Sequence, residues 1–234
     1  MSAIVQGLDR VRARLGRALL DTGRAADAAR LVAVSKFQPA SAIREAYAAG
    51  QRDFGENYVQ ELQQKAAELA DLSELRWHVI GHLQRNKARV VVPIASLIHT
   101  VHSVELAHEL DKRAAGVVAE GARLSVLVEV NVGGEAQKGG CPPQALAEVL
   151  KALDAAARLR VTGLMCVPPQ TEAAGDSRRF FDQLVQLRDL HGGAARLPEL
   201  SMGMTADLEY AVAAGATIVR VGTAIFGARP RAAH

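Results

Sequence analysis

The sequence predicts an α/β fold, a single (β/α)8 TIM barrel with an extra N-terminal helix. Eight short apolar runs recur along the chain, and most of them are followed by a stretch with helical periodicity. The 234 residues, 49% hydrophobic and 23% charged, suit one domain of this size. We therefore expect residues 1–234 to form one barrel, although an open doubly wound sheet would give a similar pattern.

The predicted strands are short, mostly aliphatic or β-branched runs bounded by glycine, proline, asparagine or charged residues. They cover residues 31–35, 53–56, 77–81, 97–102, 125–132, 161–167, 199–203 and 218–222. Several runs are continuously apolar, which is typical of a parallel sheet covered on both faces.

The predicted helices carry apolar residues on one face. They cover residues 3–20, 39–49, 57–70, 142–157, 177–193 and 205–215, the last with Thr205 as a candidate N-cap. No linker rich in proline, glycine or serine divides the chain, so the sequence gives no sign of a second domain.

Charge and cysteine content narrow the class of protein. The formal net charge is +3, and basic residues alternate with acidic ones, so the short Arg10–Arg17 stretch indicates a solvated helix face rather than a nucleic-acid arm. Cys141 and Cys166 form no C-x-x-C pair, which fits a reducing cytosol. The chain has no signal-peptide pattern and no apolar run of about 20 residues. We expect a cytoplasmic protein that binds neither nucleic acid nor membranes.

Polar side chains stand at the predicted strand ends, where barrel enzymes collect their reactive groups. The residues at these positions are Lys36, Glu56, Asn57, His82, Gln84, His102, Ser103, Asn131, Met165, Ser201, Met202, Arg220, Gly222 and Thr223. One polar strand end is weak evidence because it is often only a turn. Together they predict an active site at this end of the barrel.

The last two strands are each followed by small and hydroxyl residues. Ser201, Gly203 and Thr205 precede a predicted helix, and Gly222 and Thr223 follow strand eight. Barrels often bind phosphate through backbone amides in these two loops. The pattern therefore predicts a phosphate site, with ordinary turns as the alternative for either loop alone.

Arg220 lies between valines in strand eight, and Lys36 ends strand one. A buried guanidinium needs a partner, so Arg220 either pairs with a carboxylate such as Glu129 or faces a cavity. Strand eight closes a barrel against strand one, so Lys36, Arg220 and the phosphate loops should be neighbours.

This arrangement predicts Schiff-base chemistry at Lys36. A nearby cation lowers the pKa of a lysine amine, and the neutral amine attacks aldehydes. An aldehyde that also carries a phosphate and a ring nitrogen is pyridoxal phosphate. The residues alone leave open another phosphorylated carbonyl compound, as in a lysine-dependent aldolase without a cofactor.

Six stretches resemble the pyridoxal-phosphate homeostasis proteins, a family similar to the N-terminal barrel of alanine racemase. They are LVAVSK, FGENYVQE, WHVIGHLQRNK, VHSVE, LMCVPP and LSMGMTADLEYAVAAGATIVRVGTAIFG, between residues 31 and 227. The resemblance implies a monomeric cytoplasmic barrel that holds pyridoxal phosphate. It makes Lys36 the Schiff-base lysine and places Arg220 at the pyridine nitrogen.

The resemblance also implies roles for the other strand-end residues. Those expected at the phosphate are Ser201, Thr205, Gly222 and Thr223, and those expected around the ring are Asn57, His82 and Met165. Phe37 and Thr205 depart from the family pattern, which favours a polar residue and a serine there, but threonine keeps the hydroxyl. Residues 131–140 resemble a mobile loop near the cofactor, in which Lys138 is a second lysine of interest or a solvated loop residue.

Three functions fit these observations: a carrier that buffers pyridoxal phosphate or delivers it to apoenzymes, a weak racemase or transaminase, and the aldolase. An arginine at the pyridine nitrogen disfavours protonation and weakens the cofactor as an electron sink. Alanine racemase adds a domain with a tyrosine base, whereas this chain ends at His234, soon after strand eight. Only Tyr58 falls near the expected site. We therefore expect a carrier rather than an efficient enzyme.

Overall fold

Eight parallel strands close into a barrel in the computed structural model, which describes residues 2–135, 137–170 and 173–227. Each strand pairs with the next along the chain, and the last strand pairs with the first. The strands are β1 (Arg30–Val34), β2 (Asp53–Glu56), β3 (Arg76–Val79), β4 (Ala95–Val101), β5 (Leu124–Glu129), β6 (Leu159–Met165), β7 (Glu199–Ser201) and β8 (Ile218–Val221). The predicted fold class is confirmed, and all eight predicted strands are present.

Helices cover the outside of the barrel. They are α1 (Ala3–Asp21), α2 (Ala40–Ala48), α3 (Val59–Glu68), α4 (Ala88–Val91), α5 (Val104–Ala114), α6 (Leu146–Asp154), α7 (Arg178–Leu190), α8 (Gly193–Arg196), α9 (Leu208–Ala213) and α10 (Thr223–Phe226), with 3-10 turns at Arg85–Lys87, Pro143–Ala145 and Ala174–Ser177. The predicted extra helix is α1. A Cβ atom at Gly7 would lie 2.6 Å from the Ile225 carbonyl oxygen, so α1 packs directly on α10.

The structure corrects two helix predictions. The prediction that Thr205 caps the helix before β8 is wrong, because α9 begins at Leu208 and its N-cap is Asp207. The Asp207 carboxylate accepts a hydrogen bond from the Met204 N–H at 2.6 Å, so this loop makes its own turn before the helix starts. The sequence analysis also missed α5, although Ser103 caps it and its Leu106 and Leu110 are buried.

Residues that point into the barrel include both an apolar cluster and a polar group. The apolar cluster comprises Val32, Leu97, Leu127, Met165 and Ile218, and the buried polar residues of the strands include Asp53, His78, His99, Ser201 and Arg220. The larger apolar core lies between the strands and the helices. The interior therefore departs from the branched aliphatic filling usual for such barrels.

The tail after Gly227 lies outside the described residues, as do Ala136 within the predicted loop 131–140 and residues 171 and 172. The expectation that residues 1–234 form a single domain therefore stays a prediction.

Candidate functional site

A cavity of about 240 Å³ opens at the carboxyl-terminal end of the strands. Its lining consists of Val34, Lys36, Phe37, Gln38, Met204, Thr205, Arg220, Gly222, Thr223 and Gly227. Five predicted site residues are among them, and they come from opposite ends of the chain. Neither aspartate nor glutamate occurs among these lining residues. The cavity therefore combines two cationic side chains with hydroxyl groups and glycines.

Closure of the barrel brings Lys36 and Arg220 together. In the β1–β8 pair, Val32 lies opposite Arg220, and Ala33 lies opposite Val221. Lys36 follows the end of β1 by two residues, so it lies closer than Arg220 to the carboxyl-terminal end of the barrel, on the same side. The expected neighbourhood of these two cations is present in the structure.

A buried ion pair fixes the backbone just before Lys36. Lys65 Nζ lies 2.8 Å from Glu56 Oε1 and donates to the Ser35 carbonyl oxygen at 2.8 Å. The Ser35 hydroxyl donates to the same Glu56 oxygen at 2.7 Å. Burial raises the pKa of Glu56, and the Lys65 ammonium opposes that rise. Because all three side chains are buried, this network resists displacement of the loop that carries Lys36.

The residue after Lys36 is held by the same cluster. Phe37 has φ +64°, and its N–H donates to Glu61 Oε2 at 2.7 Å, an oxygen that also lies 2.7 Å from Lys65 Nζ. Its ring contacts the ring of Tyr58, with centroids 5.2 Å apart. A left-handed conformation costs a residue other than glycine about 1–3 kcal/mol and persists only when the surroundings enforce it. The backbone on both sides of Lys36 is therefore set by one charge cluster.

Arg220 is buried, and its hydrogen bonds go to neutral oxygens. It donates to Ser201 Oγ at 2.6 Å and to the Cys166 carbonyl at 2.9 Å. The alternative of an ion pair with Glu129 is absent among the described residues; Glu129 Oε2 is buried without a hydrogen-bond partner there. Burial raises the pKa of Glu129 to about 7, although the charge of Arg220 opposes this. Because Arg220 forms no ion pair with Glu129, its positive charge is available to a ligand that enters the cavity.

The predicted phosphate residues Thr205, Gly222 and Thr223 line the cavity next to Arg220. Thr205 lies in the loop before α9, and Gly222 is the N-cap of α10. A Cβ at position 222 would lie 3.0 Å from the Val34 carbonyl oxygen, so glycine allows β1 and the last loop to approach closely. The two loops meet β1 at one point of the rim.

Ser201 and Met165 lie beneath the cavity rather than among its lining residues. Ser201 has no exposed surface, and its hydroxyl bonds to Arg220 and to His99. Met165 is fully buried in the inner apolar cluster. Their predicted places at the phosphate and the ring stay predictions.

Asn57 and His82 line a small neighbouring pocket beyond β2 and β3, together with Tyr58 and Gly81. The His82 ring stacks on His102, with centroids 4.5 Å apart. Asn57 Oδ1 is buried and has no hydrogen-bond partner among the described residues. A ligand that reached this pocket would find an unused polar atom there.

Lys138 is partly buried. Its Nζ donates to the Pro168 carbonyl at 2.8 Å and lies 2.7 Å from Glu135 Oε2. These contacts tie the described part of the glycine-rich segment to the end of β6.

The sequence did not reveal the residues that support this site without lining the cavity. Lys65 and Glu61 lie on α3, while His78 and His99 fall inside predicted strands, and none of the four was singled out from the sequence. The available signal was a histidine within each of two otherwise apolar runs. No group of three or more potential metal ligands occurs in the described part of the chain.

Comparison with known proteins places this geometry in a wider group. The family described as alanine racemase, N-terminal domain, matches residues 10–230. A pyridoxal phosphate homeostasis protein of Pseudomonas aeruginosa is 46% identical over 231 residues, which cover 98% of this chain and 97% of that protein. PipY of Synechococcus elongatus, solved with PLP bound, is 39% identical with a TM-score of 0.80, and the match covers 96% of this chain and 100% of that one. An alanine racemase of Corynebacterium glutamicum is 19% identical with a TM-score of 0.68, covering 99% of this chain and 62% of that one, and shares the fold.

Proposed function

Because the chain belongs to the family of pyridoxal phosphate homeostasis proteins, we propose that it binds pyridoxal phosphate as a Schiff base on Lys36 and serves vitamin B6 homeostasis. The observation that carries this proposal is the cavity in which Lys36, Arg220 and two hydroxyl-bearing loops meet. The structure of PipY with PLP bound supports the assignment of the ligand.

The residues present fit the cofactor in charge and in chemistry. Pyridoxal phosphate supplies an aldehyde that a lysine amine converts into a Schiff base with release of water. Lys36 provides the amine, held in place by the charge cluster on both sides of it. Thr205, Gly222 and Thr223 bind the phosphate, whose charge the two cations balance without competition from a lining carboxylate.

Arg220 sets what the bound cofactor does. A guanidinium only donates hydrogen bonds, so the ring nitrogen opposite Arg220 accepts and remains unprotonated. An unprotonated ring is a weak electron sink, which favours holding the cofactor over converting amino acids. The second candidate function is a slow racemase or transaminase, and the observation that favours it is the closeness of Tyr58 to Phe37 at the rim. In that case Lys36, once an amino acid displaces it, or Tyr58 would move the proton.

The finer features of the cellular role are also proposals. No helix in the described ranges is long and apolar enough to cross a bilayer. We propose that the protein acts in the cytoplasm as a monomer, and that apoenzymes requiring pyridoxal phosphate receive it from this cavity. Phe37 and Met204 are exposed and line the cavity from which a delivered cofactor would leave, and Tyr58 contacts Phe37.

The first test is an absorbance spectrum of the purified protein after loading with pyridoxal phosphate, before and after borohydride reduction. We expect a Schiff-base band that reduction abolishes, and a reduced adduct on Lys36 in peptide mass spectra. Lys36→Ala should lose the band and the adduct. Lys151→Ala, an exposed lysine on α6, is the matched control and should keep both.

Two outcomes contradict the proposal. If the protein stays colourless after loading, pyridoxal phosphate is excluded as its ligand, and the lysine-dependent aldolase remains as the hypothesis. If the reduced adduct is found equally on other lysines, Lys36 is not the specific Schiff-base lysine. Incubation of the loaded protein with amino acids then separates carrier from enzyme, since only an enzyme would racemise or deaminate them repeatedly.

A further inference from the structure

A row of buried side chains crosses the interior of the barrel from the cavity to its opposite end. Arg220 Nη1 lies 2.6 Å from Ser201 Oγ, which lies 2.8 Å from His99 Nδ1. His99 Nε2 lies 2.9 Å from His78 Nδ1, and His78 Nε2 lies 2.8 Å from Asp53 Oδ1. These five residues come from five strands and expose between 0% and 7% of their surfaces. The residues of the row are therefore largely buried, and at its last link His78 and Asp53 border the cavity at the amino-terminal end of the barrel.

The chemistry of the two ends fixes the direction of each hydrogen bond. Arg220 only donates, so Ser201 Oγ accepts from it and has its own proton available for His99 Nδ1. Asp53 only accepts when ionised, so His78 donates from Nε2 and accepts at Nδ1. His99 then donates from Nε2. Both histidines are neutral and carry the proton on Nε2, and all four bonds run from the cation to the carboxylate.

The charges around the row favour this neutral arrangement. Burial lowers the pKa of His99 well below its ordinary value, and the charges of Arg220 and Arg30 and the neighbouring His78 add to the effect. Burial also lowers the pKa of His78, although Asp53 opposes it. Protonation of His78 would require its Nδ1 to donate and would reverse the His78–His99 and His99–Ser201 bonds. Ser201 Oγ would then accept from both His99 and Arg220, and its own proton would need another acceptor.

Asp53 is itself anchored at the amino-terminal end of the barrel. Arg76 donates to both of its carboxylate oxygens, at 2.8 Å from Nε and 2.7 Å from Nη2. Although burial raises the pKa of Asp53, the bonds from Arg76 and His78 hold it well below the ordinary range. The row thus ends on an anion that Arg76 holds in place.

A long arginine side chain needs such support to point in one direction. Besides its hydrogen bond to Ser201, the Arg220 guanidinium donates one to the Cys166 carbonyl oxygen. Aliphatic residues would fill the interior at lower cost in desolvation, so a complete polar row across it calls for a specific role.

We propose that Ser201, His99, His78 and Asp53 are positioning residues, which hold the Arg220 guanidinium at the cofactor ring nitrogen through one directed row of hydrogen bonds. This inference rests on the proposed function. It places part of the control of the ring nitrogen at the far end of the barrel, in His78 and Asp53, which do not line the carboxyl-terminal cavity.

One test reads the row without any cofactor. In the unloaded protein labelled with ¹⁵N-histidine, the ring nitrogen shifts of His78 and His99 should report neutral rings protonated at Nε2 across about pH 6 to about pH 8. Their Nε2 protons should exchange slowly with solvent. A charged His78 at neutral pH, or a neutral His78 or His99 ring protonated at Nδ1, would contradict the proposed direction of the hydrogen bonds.

The second test uses loaded protein and compares Ser201→Ala, Ser201→Thr and His78→Gln. Ser201→Ala should raise the Kd of pyridoxal phosphate about 10-fold, the value of one hydrogen bond to a charged group, and should shift the pH at which the Schiff-base band changes. Ser201→Thr keeps the hydroxyl and should restore both values. His78→Gln should weaken binding about 3-fold from the opposite end of the barrel.

Thr100→Val is the matched control, because Thr100 is buried on the same strand as His99 and its hydroxyl bonds to the Gly81 carbonyl outside the row. It should lower stability without moving the band or the Kd. If Ser201→Ala and His78→Gln behave like this control, the proposal is overturned. A wild-type protein that binds no pyridoxal phosphate would instead overturn the proposed function, and the histidine tautomers would then decide the row alone.

Discussion

The two ends of the barrel hold cavities of similar volume but different charge composition. The carboxyl-terminal cavity measures about 240 Å³, and its charged lining residues are Lys36 and Arg220. The amino-terminal cavity measures about 270 Å³, and it contains more arginines but also two carboxylates. Counting basic residues alone would have selected the wrong end as the anion site.

Pairing explains the difference. At the amino-terminal end, Arg30 lies 2.8 Å from Glu199, and Arg76 lies 2.7 Å from Asp53. At the other end, Arg220 bonds to a hydroxyl and a backbone carbonyl. An anion entering the amino-terminal cavity would compete with Glu199 for Arg30 and with Asp53 for Arg76, although Arg160 there bonds to the Ser125 hydroxyl. No carboxylate of the described residues lines the carboxyl-terminal cavity, and this difference in lining distinguishes it as the candidate anion site.

Adding a carboxylate to the carboxyl-terminal cavity should abolish the difference between the two cavities and weaken binding of pyridoxal phosphate. Thr223→Asp places a negative charge at the predicted phosphate position, and at a separation of about 4 Å the repulsion amounts to about 4 kcal/mol, or roughly 1,000-fold in the Kd of pyridoxal phosphate. Ser125→Asp makes the same change in the amino-terminal cavity and should leave the Kd unaltered. Titration of both variants by absorbance checks this. Equal weakening by the two variants would mean that the location of the charge is immaterial.

Glu129 and Asp53 should give the two ends opposite responses to pH. Glu129, buried near Arg220, has its pKa raised to about 7, so the folded protein binds a proton that the unfolded chain releases above about pH 4.5. Its effect on stability is therefore unfavourable as pH rises from about 4.5 to about 7, and reaches about 3 kcal/mol above that range. Asp53, with a lowered pKa, stabilises the fold above about pH 4 and loses that contribution in acid.

Glu129→Gln should remove the loss of stability between about pH 5 and about pH 8 and raise the unfolding free energy at the upper end. Urea unfolding of the unloaded protein at several pH values measures this. An unchanged slope in Glu129→Gln would show that this carboxyl is ionised throughout.

Removing one arginine from each end should separate stability from binding. Arg76→Met leaves the buried Asp53 without its bidentate partner and should lower the free energy of unfolding by about 2 kcal/mol. Arg220→Met removes a buried charge that no carboxylate balances, so it should change the stability of the unloaded protein by less than about 1 kcal/mol. Only Arg220→Met should abolish the normal spectrum of the bound cofactor. A larger loss of stability in Arg220→Met would contradict this division of roles.

The smallest effect concerns the exposed ion pair at the amino-terminal end. Arg30 has 42% of its side chain exposed, and its pair with Glu199 should contribute less than about 1 kcal/mol. Glu199→Gln should therefore alter the midpoint of urea unfolding only slightly and leave the Kd of pyridoxal phosphate unchanged. A Kd that rose with this variant would show that the two cavities communicate through Arg30.

The sequence was sufficient for features that depend on local pattern. Short apolar runs located every strand, because a parallel sheet covered on both faces requires continuous apolar residues. The closed order of eight strands then made Lys36 and Arg220 neighbours without further information. Even α5, which the analysis missed, has its signal in Ser103 and the spacing of Leu106 and Leu110.

Features that depend on distance across the barrel were not predictable in this way. His99 on β4 bonds to Ser201 on β7, a contact set by the tilt and stagger of the strands rather than by any local pattern. Lys65 likewise reads as an ordinary helix charge until α3 is packed over β2, where it meets Glu56. The supporting residues of the site were therefore found only in the structure.

The pairing of β1 with β8 has a consequence for biosynthesis. Lys36 is synthesised well before Arg220 and the Gly222–Thr223 turn, which complete the lining of the cavity. The ligand site cannot exist until β8 has been made and has joined β1. A nascent chain therefore cannot sequester the vitamin before that stage, and capture of pyridoxal phosphate marks the moment at which the barrel has closed.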